Sequence, residues 1–461
     1  MENIRQNKMG TAPMFKLILS MSLPAMFSML IQALYNIIDS VFVSNYSNDV
    51  ISGSESLLSV NIAYPLQMIL IAVAVGTGVG VNSLIARRLG AKQQEEANSA
   101  ATHGFVLSII GWIFFVVVGL IATKPFISLY TNNPEVFANG TSYIRIVLIC
   151  SLGVNISCML EKVFQSTGNM IIPMFAQLSG AVINIILDPI FIYVLDMGVT
   201  GAAIATVIAQ HFSALFCVLM LFFKKHSISI NLKNFRFSTT TLKNIYVVAF
   251  PAMIMQAIGS FMIMCLNYII SLSNSTAIEK EAATNVFGIY FKLQSFVFMP
   301  VFGLNQGSTP IMGFNFGAGN KKRLYSAIKW ALLIAVIIMA VGFAVFQIFP
   351  DMLLSMFSPN AELMSIGQSA LRIISICFIP AAIGIVFTGV FQAVGKGFRS
   401  LLMSLLRQIG VILPAAYFLS KISLHDIWFA FPIAEGFALA IALVLFINLV
   451  KGDFKRLKPV E

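Results

Sequence analysis

The sequence predicts an all-α polytopic membrane protein with twelve transmembrane helices in two pseudo-symmetric six-helix lobes. Three observations lead there: an apolar composition, twelve apolar runs with bases gathered on one side, and an internal repeat. Hydrophobic residues make up 58% of the chain and charged residues 10%, whereas a soluble domain carries about a quarter charged residues. The net charge of +11 does not indicate nucleic acid, because the bases sit in short gaps between apolar runs and form no basic stripe. Cys150, Cys158, Cys217, Cys265 and Cys377 all lie inside apolar runs, without metal-ligand spacing. They are expected to pack as small apolar residues. The polar start, Met1 to Gly10, lacks a cleavage site after a short apolar core, so no removable signal peptide is expected.

A spanning helix needs about 20 mostly apolar residues. Candidates fall roughly at 15–44, 57–81, 99–123, 139–164, 170–195, 199–223, 242–272, 284–309, 325–349, 362–390, 398–420 and 426–450. Several contain Pro or Gly, which membrane helices tolerate where neighbours satisfy the freed backbone groups. With twelve spans both termini face one side, and the positive-inside rule makes that side the cytoplasm. The inner segments then hold Arg5, Lys8, Lys16, Arg87, Arg88, Lys92, Lys224, Lys225, Lys233, Arg236, Lys243, Lys321, Lys322, Arg323, Lys396, Arg399, Lys451, Lys455, Arg456 and Lys458. The outer loops hold only Lys124, Lys280 and Lys421. A multi-pass cell-membrane protein with cytoplasmic termini is expected.

The two halves align at a constant offset of 227 residues. Ser22-Leu23-Pro24-Ala25-Met26 matches Ala249-Phe250-Pro251-Ala252-Met253, and Gly76 and Gly80 match Gly303 and Gly307. Leu89-Gly90-Ala91 matches Phe316-Gly317-Ala318, and Phe164-Gln165-x-x-Gly168 matches Phe391-Gln392-x-x-Gly395. Glu135, Arg145 and Cys150 match Glu362, Arg372 and Cys377. The offset covers an even number of spans, so both copies run the same way through the membrane. Lobes are expected at 1–223 and 242–461, with a basic linker at 224–241. Such a pair suits a transporter in which one lobe rocks against the other.

A charge at mid-membrane costs at least ~2.5–3.5 kcal/mol, which makes it a functional candidate. Asp39, Glu161 and Asp188 belong to the first lobe; Lys292, Arg372, Arg407 and Glu435 to the second. At 1.5 Å per residue, Asp39 lies about 7 Å below the outer end of span 1, Tyr143 about 6 Å inside span 4 and Asp188 about 10 Å inside span 5, with Thr206 of span 6 near that level. Asn184 and Asp188 are four residues apart and share a helix face, and Pro189 loosens the next turn. This oxygen-rich level suits Na⁺ at Asp39 and Asp188; burial of the same carboxyls favours H⁺ instead. Glu161 falls more than 20 Å from Asp188 if both helices are straight, and is a coupling or substrate candidate. Lys292 is expected to line the cavity, to repel cations at one stage or to pair with Glu435, and Arg407 to neutralise a partner or reach for a helix end.

Pro24 with Asp39 in span 1, the Gly90-Ala91-Lys92 loop, Gln165-x-x-Gly168 and Asn184-Ile-Ile-Leu-Asp188-Pro189 together resemble the multidrug and toxic compound extrusion (MATE) transporters, in their bacterial MepA-like and DinF-like branch. The resemblance covers nearly the whole chain. It implies a V-shaped pair of lobes exchanging cationic amphipathic drugs for inward Na⁺ or H⁺. It also implies a cation site at Asp39, Asn184, Asp188 and Thr206 with Tyr143 beside it, and a role for Glu161. Some family members use second-lobe acids, but Phe250–Ser273, Ala283–Gly319 and Leu363–Val394 contain no Asp or Glu. A flippase for a lipid-linked precursor is the alternative. No Walker A motif is present, so ATP is not the direct energy source. No His-Glu-x-x-His occurs, and His103, His211, His226 and His425 are isolated, so no enzyme is expected. Forty Phe and 23 Met provide faces that attract organic cations and adapt to many shapes. No cofactor beyond the coupling ion and no partner chain are expected; the protein should act as a monomer in membrane lipid.

Overall fold

A computed structural model of the chain describes residues 7–47, 52–223, 227–233, 235–273, 275–357 and 361–459. Arg5, Lys224, Lys225 and His226, named above, lie outside the described residues. The described residues are almost entirely helical. Ten helices are long and apolar enough to cross a membrane, and two bent pairs bring the spans to twelve. Span 1 is Met14–Ser44, followed by Gly53–Gly90, Gln94–Ile121, the pair Pro134–Ile149 with Leu152–Ser166, then Ile171–Val194 and Gly198–Phe223. Spans 7 to 12 are Thr239–Ser271, Ala277–Gly317, Lys321–Ile348, the pair Glu362–Ser375 with Phe378–Ala393, Gly397–Ile422 and His425–Phe454. Span 3 turns Ile110, Ile113, Phe114, Val117 and Ile121 outward. A soluble helix of that length would bury such a stripe, so it belongs in lipid.

Spans 4 and 10, which hydropathy reads as continuous, are each bent by 48° in the middle. No Pro lies between their halves. In span 10, Pro380 stands just after the break and cannot donate to Ile376 O; in both spans a side chain from the preceding long helix also enters the backbone ladder: Trp112 Nε1 donates to Ile149 O at 2.9 Å, and Gln347 Nε2 donates to Arg372 O at 2.8 Å. A donor inserted among helical carbonyls is an established cause of a kink, and it satisfies groups that lipid would leave bare.

The repeat recurs in detail. Short helices follow spans 3 and 9 at matched positions, Thr123–Ser128 and Pro350–Ser355. Left-handed backbone occurs at Lys92 and its mate Gly319, and at Gly168 and its mate Gly395. The compact units, however, divide inside helices rather than at the linker: one contains Phe27–Gln256, the other Lys8–Met26 with Ala257–Glu461. Each unit therefore holds the N-terminal half of the other repeat's first helix. The glycines make this possible. A methyl at Gly76 would lie 2.5 Å from Met253 Cγ and 2.8 Å from Met253 N, and one at Gly80 would lie 2.5 Å from Ile245 O. In the second unit, a methyl at Gly303 would lie 2.5 Å from Met26 Cα, and one at Gly307 would lie 2.6 Å from Ser22 Cα. Met253 and Met26 are repeat mates, as are Ala249 and Ser22, so one notch has been built twice. Small residues at this spacing let helix backbones approach closely in membranes.

The linker is pinned to span 3. Ser229 N donates to Asn98 Oδ1 at 3.0 Å, Asn231 N to Thr102 Oγ1 at 3.3 Å and Ser238 N to His103 Nε2 at 2.9 Å. His103 is thus a buried structural residue, in edge-to-face contact with Phe235.

Candidate cation site in the first lobe

The C-terminal end of span 1 is tied to the end of span 5 and the turn after it. Tyr193 Oη donates to Phe42 O at 2.6 Å, and Tyr46 Oη donates to Asp196 Oδ1 at 2.9 Å. Pro189 cannot donate to the helix ladder, and a π turn, Ile190–Val194, follows it. These ties hold Asp39, one turn before Phe42, level with Asp188 at the end of the regular part of span 5.

The two carboxyl groups meet. The side chains of Asp39 and Asp188 lie close enough to interact directly, and Asp188 is fully buried. Asn184 Nδ2 donates to Asp188 Oδ1 at 3.0 Å from one turn earlier. Three oxygens of this cluster, Asp39 Oδ1, Asp188 Oδ2 and Asn184 Oδ1, are buried with no hydrogen-bond partner among the described residues. Buried polar atoms are nearly always satisfied, so an orphaned set calls for a ligand. Two carboxylates at hydrogen-bond distance repel unless a proton or metal cation joins them. No group of three or more His, Cys, Asp or Glu poised for a metal occurs among the described residues, so an ion here would have two charged ligands and neutral oxygens.

Thr206 is buried on span 6, which packs along span 5. Among the described residues no hydrogen bond is recorded between it and either acid. Tyr143 is buried too, and its hydroxyl donates to Gln67 Oε1 at 3.3 Å. Gln67 was not singled out from the sequence. Its repeat mate is Gln294, whose Oε1 is orphaned because the mate of Tyr143 is Ala370.

Glu161 is buried on the second half of the broken span 4 and accepts from Gln177 Nε2 at 2.7 Å. Gln177 and Asp188 share span 5 eleven residues apart, which puts Glu161 about 16 Å from the acid pair along that helix. The straight-helix separation above was larger because span 4 bends.

Beside Glu161 lies Lys162, a buried base that the inventory of membrane charges omits. Its ammonium donates to Gln165 Oε1 at 2.9 Å, and its stem fills the notch over Gly78, where a methyl would lie 2.7 Å from Lys162 Cγ. The second lobe inverts this arrangement. The mate of Lys162 is Gly389, the mate of Gly78 is Asn305, and the Asn305 side chain occupies the space over Gly389. A lysine inside span 4 whose repeat mate is glycine is the signal that would have found it.

In the second lobe Glu435 pairs with Arg407 at 2.9 Å, not with Lys292. Lys292 is exposed, with its ammonium 5.9 Å from the ring centre of Phe357; proximity in the helical array favours Arg407 for the acid. Removing one partner strands the other charge. Arg407→Met is therefore expected to destabilise the solubilised protein by about 3–5 kcal/mol, and the Arg407→Met/Glu435→Met double variant to recover most of that loss. Thermal melting in detergent checks both.

Two like six-span halves and a buried acid pair define a membrane transport protein of the duplicated kind. The MatE family model matches residues 24–190 and again 251–418, two copies separated by the repeat offset. The multidrug export protein MepA of Staphylococcus haemolyticus is 26% identical over 436 residues, covering 94% of both chains. MepA of Staphylococcus aureus (strain MSSA476) is 28% identical over 448 residues, covering 95% of both. Among solved structures, an outward-facing multidrug resistance MATE family transporter superposes with a TM-score of 0.91 at 27% identity, covering 99% of this chain and 100% of that one. A transporter of the same superfamily from Pyrococcus furiosus, described as having a binding pocket of reversed polarity, superposes with a TM-score of 0.90 at 27% identity, covering 98% of this chain and 100% of that one. The chain belongs to the MATE family of transporters and is similar to MepA.

Proposed function

We propose that the protein exports organic cations from the cell in exchange for Na⁺ or H⁺ moving inward through the first lobe, with both termini in the cytoplasm. The observation that supports this most is the contact between Asp39 and Asp188 beneath three orphaned oxygens. A cation arriving from outside neutralises the pair. Spans 1 and 5 then repack, and the lobe's affinity for a positively charged drug falls, so the drug leaves outward. The loaded lobe returns the ion inward and accepts a new drug. This requires negative coupling between ion and drug, through charge or through the lobe's shape. The similarity to the multidrug export protein MepA supports drugs as the cargo class, and the acids of the first lobe favour positively charged ones. No cofactor beyond the coupling ion is invoked.

The flippase reading needs free bases for a pyrophosphate group. Arg407 is occupied by Glu435, which favours export. Purified protein in proteoliposomes, loaded with a cationic dye under Na⁺ and H⁺ gradients imposed separately, is expected to move dye uphill with one of the gradients and not in the absence of both. Dye movement indifferent to both gradients would overturn the exchange mechanism.

A further inference from the structure

At one end of the second unit, three separate parts of the chain meet around a cleft of about 490 Å³. Gly10 comes from the N-terminal segment, Gly319, Lys321 and Lys322 from the turn into span 9, and Leu457 and Pro459 from the C-terminal segment. The assembly is tied together by backbone carbonyls. Arg323 donates to Met9 O at 3.1 Å and to Ala12 O at 2.8 Å, and Lys321 Nζ donates to Lys455 O at 2.9 Å.

The charges around this cleft are one-sided. Lys321 and Lys322 line it, the segments that wall it also carry Lys8, Arg323, Lys455 and Lys458, and the acid of these segments among the described residues, Asp453, is held by Lys396 at 3.4 Å. The repeat exposes the anomaly. The first turn of span 3 reads Gln94-Glu95-Glu96, with acids where the positive end of a helix dipole favours them. The matched turn of span 9 reads Lys321-Lys322-Arg323, with no acid. Three bases against a helix start, with further bases beside them, repel one another and the dipole. The first lobe offsets its bases at this turn, with Arg88 paired to Glu96 at 3.1 Å; the second lobe has no acid there to do so.

The level of the cleft identifies what balances it. Its walls are the first residues of span 9, the residues just before span 1, and those just after span 12. Spans 1, 9 and 12 are 31, 28 and 30 residues long, about 42–47 Å, the thickness of a bilayer with its headgroups rather than of its hydrocarbon core, so their ends and the cleft stand among the headgroups. Basic pockets between helices at that depth take anionic headgroups. Leu457 and Pro459 add apolar wall, as a glycerol backbone and upper acyl chain require.

We propose that this cleft binds the phosphate headgroup of one anionic phospholipid, held by Lys321 and Lys322. Native mass spectrometry of the full-length protein in detergent, titrated with phosphatidylglycerol or phosphatidylcholine, tests it. One phosphatidylglycerol is expected to stay bound where phosphatidylcholine does not. Lys321→Gln/Lys322→Gln should weaken that binding on the order of 20-fold, and Lys321→Arg/Lys322→Arg should keep it. Lys233→Gln/Lys243→Gln, which removes two bases of the linker, should leave it unchanged. If the double Gln variant does not fold, Lys322→Gln alone, at an exposed position, should weaken binding about fivefold. The proposal fails if both lipids bind alike, if the Gln variants retain the lipid as the native protein does, or if the linker variant loses it equally. It also fails if inorganic phosphate at the lipid's concentration displaces it, since the cleft would then be a site for free anions.

Discussion

Asp188→Asn is expected to abolish ion-driven export while leaving the protein inserted and folded. The substitution keeps the shape of the side chain and its contact with Asn184, so the helix has no reason to move. It removes the charge that calls for a cation beside Asp39. Linked transporters change the affinity of one ligand about 5–150-fold when the other binds. In the native protein that factor should appear as weaker dye binding when the coupling ion is present; in Asp188→Asn it should collapse to about one. Equilibrium dye binding with and without Na⁺, and at two pH values, reads the factor directly. Proteoliposome efflux reads its consequence. Asp39→Asn/Asp188→Asn protein that still pumped at the native rate would remove the acid pair from the mechanism.

The second large effect concerns the notches. Gly80→Ala and Gly307→Ala each push a methyl into backbone, Ile245 O at 2.5 Å in one case and Ser22 Cα at 2.6 Å in the other. Backbone cannot swing aside as a side-chain tip can, so each change is expected to cost about 1–3 kcal/mol. Gly288→Ala and Gly436→Ala supply the contrast, because nothing lies within 4 Å of a methyl at either position. There the better helix former should be neutral or stabilising by up to about 1 kcal/mol. Melting temperatures of the four variants in one detergent separate the two outcomes. Equal losses at all four positions would show that the glycines are needed for flexibility rather than for close packing.

Most of the architecture was legible because membranes simplify the code. Apolar length marks the spans, and the matched Pro24 and Pro251, or Gly80 and Gly307, show that the second half repeats the first. The acids Asp39 and Asp188 stood out because charge inside an apolar run is costly, and counting residues along helices placed them at one depth. What the sequence concealed depends on tertiary contacts. The bend in span 4 comes with Trp112, which lies on another helix; that in span 10 was half legible, since Pro380 marks the break while Gln347, not a repeat mate of Trp112, comes from another helix. The partner of Glu435 could not be chosen between Lys292 and Arg407 without knowing which helices adjoin. Lys162 gains its meaning only beside Gly78, more than 80 positions earlier in the chain.

The exchanged helix halves bear on how the protein is made. A compact unit ending at Gln256 is not complete when its sixth span leaves the ribosome; it waits for the start of the seventh. The segment Lys8–Met26, synthesised among the earliest, finds its own packing surface only after Gly303 and Gly307 have emerged. Until then its polar and apolar faces must be sheltered by lipid or by the insertion machinery. A duplicated gene here has not produced two independent folding modules, and the halves of such a chain are obliged to mature together.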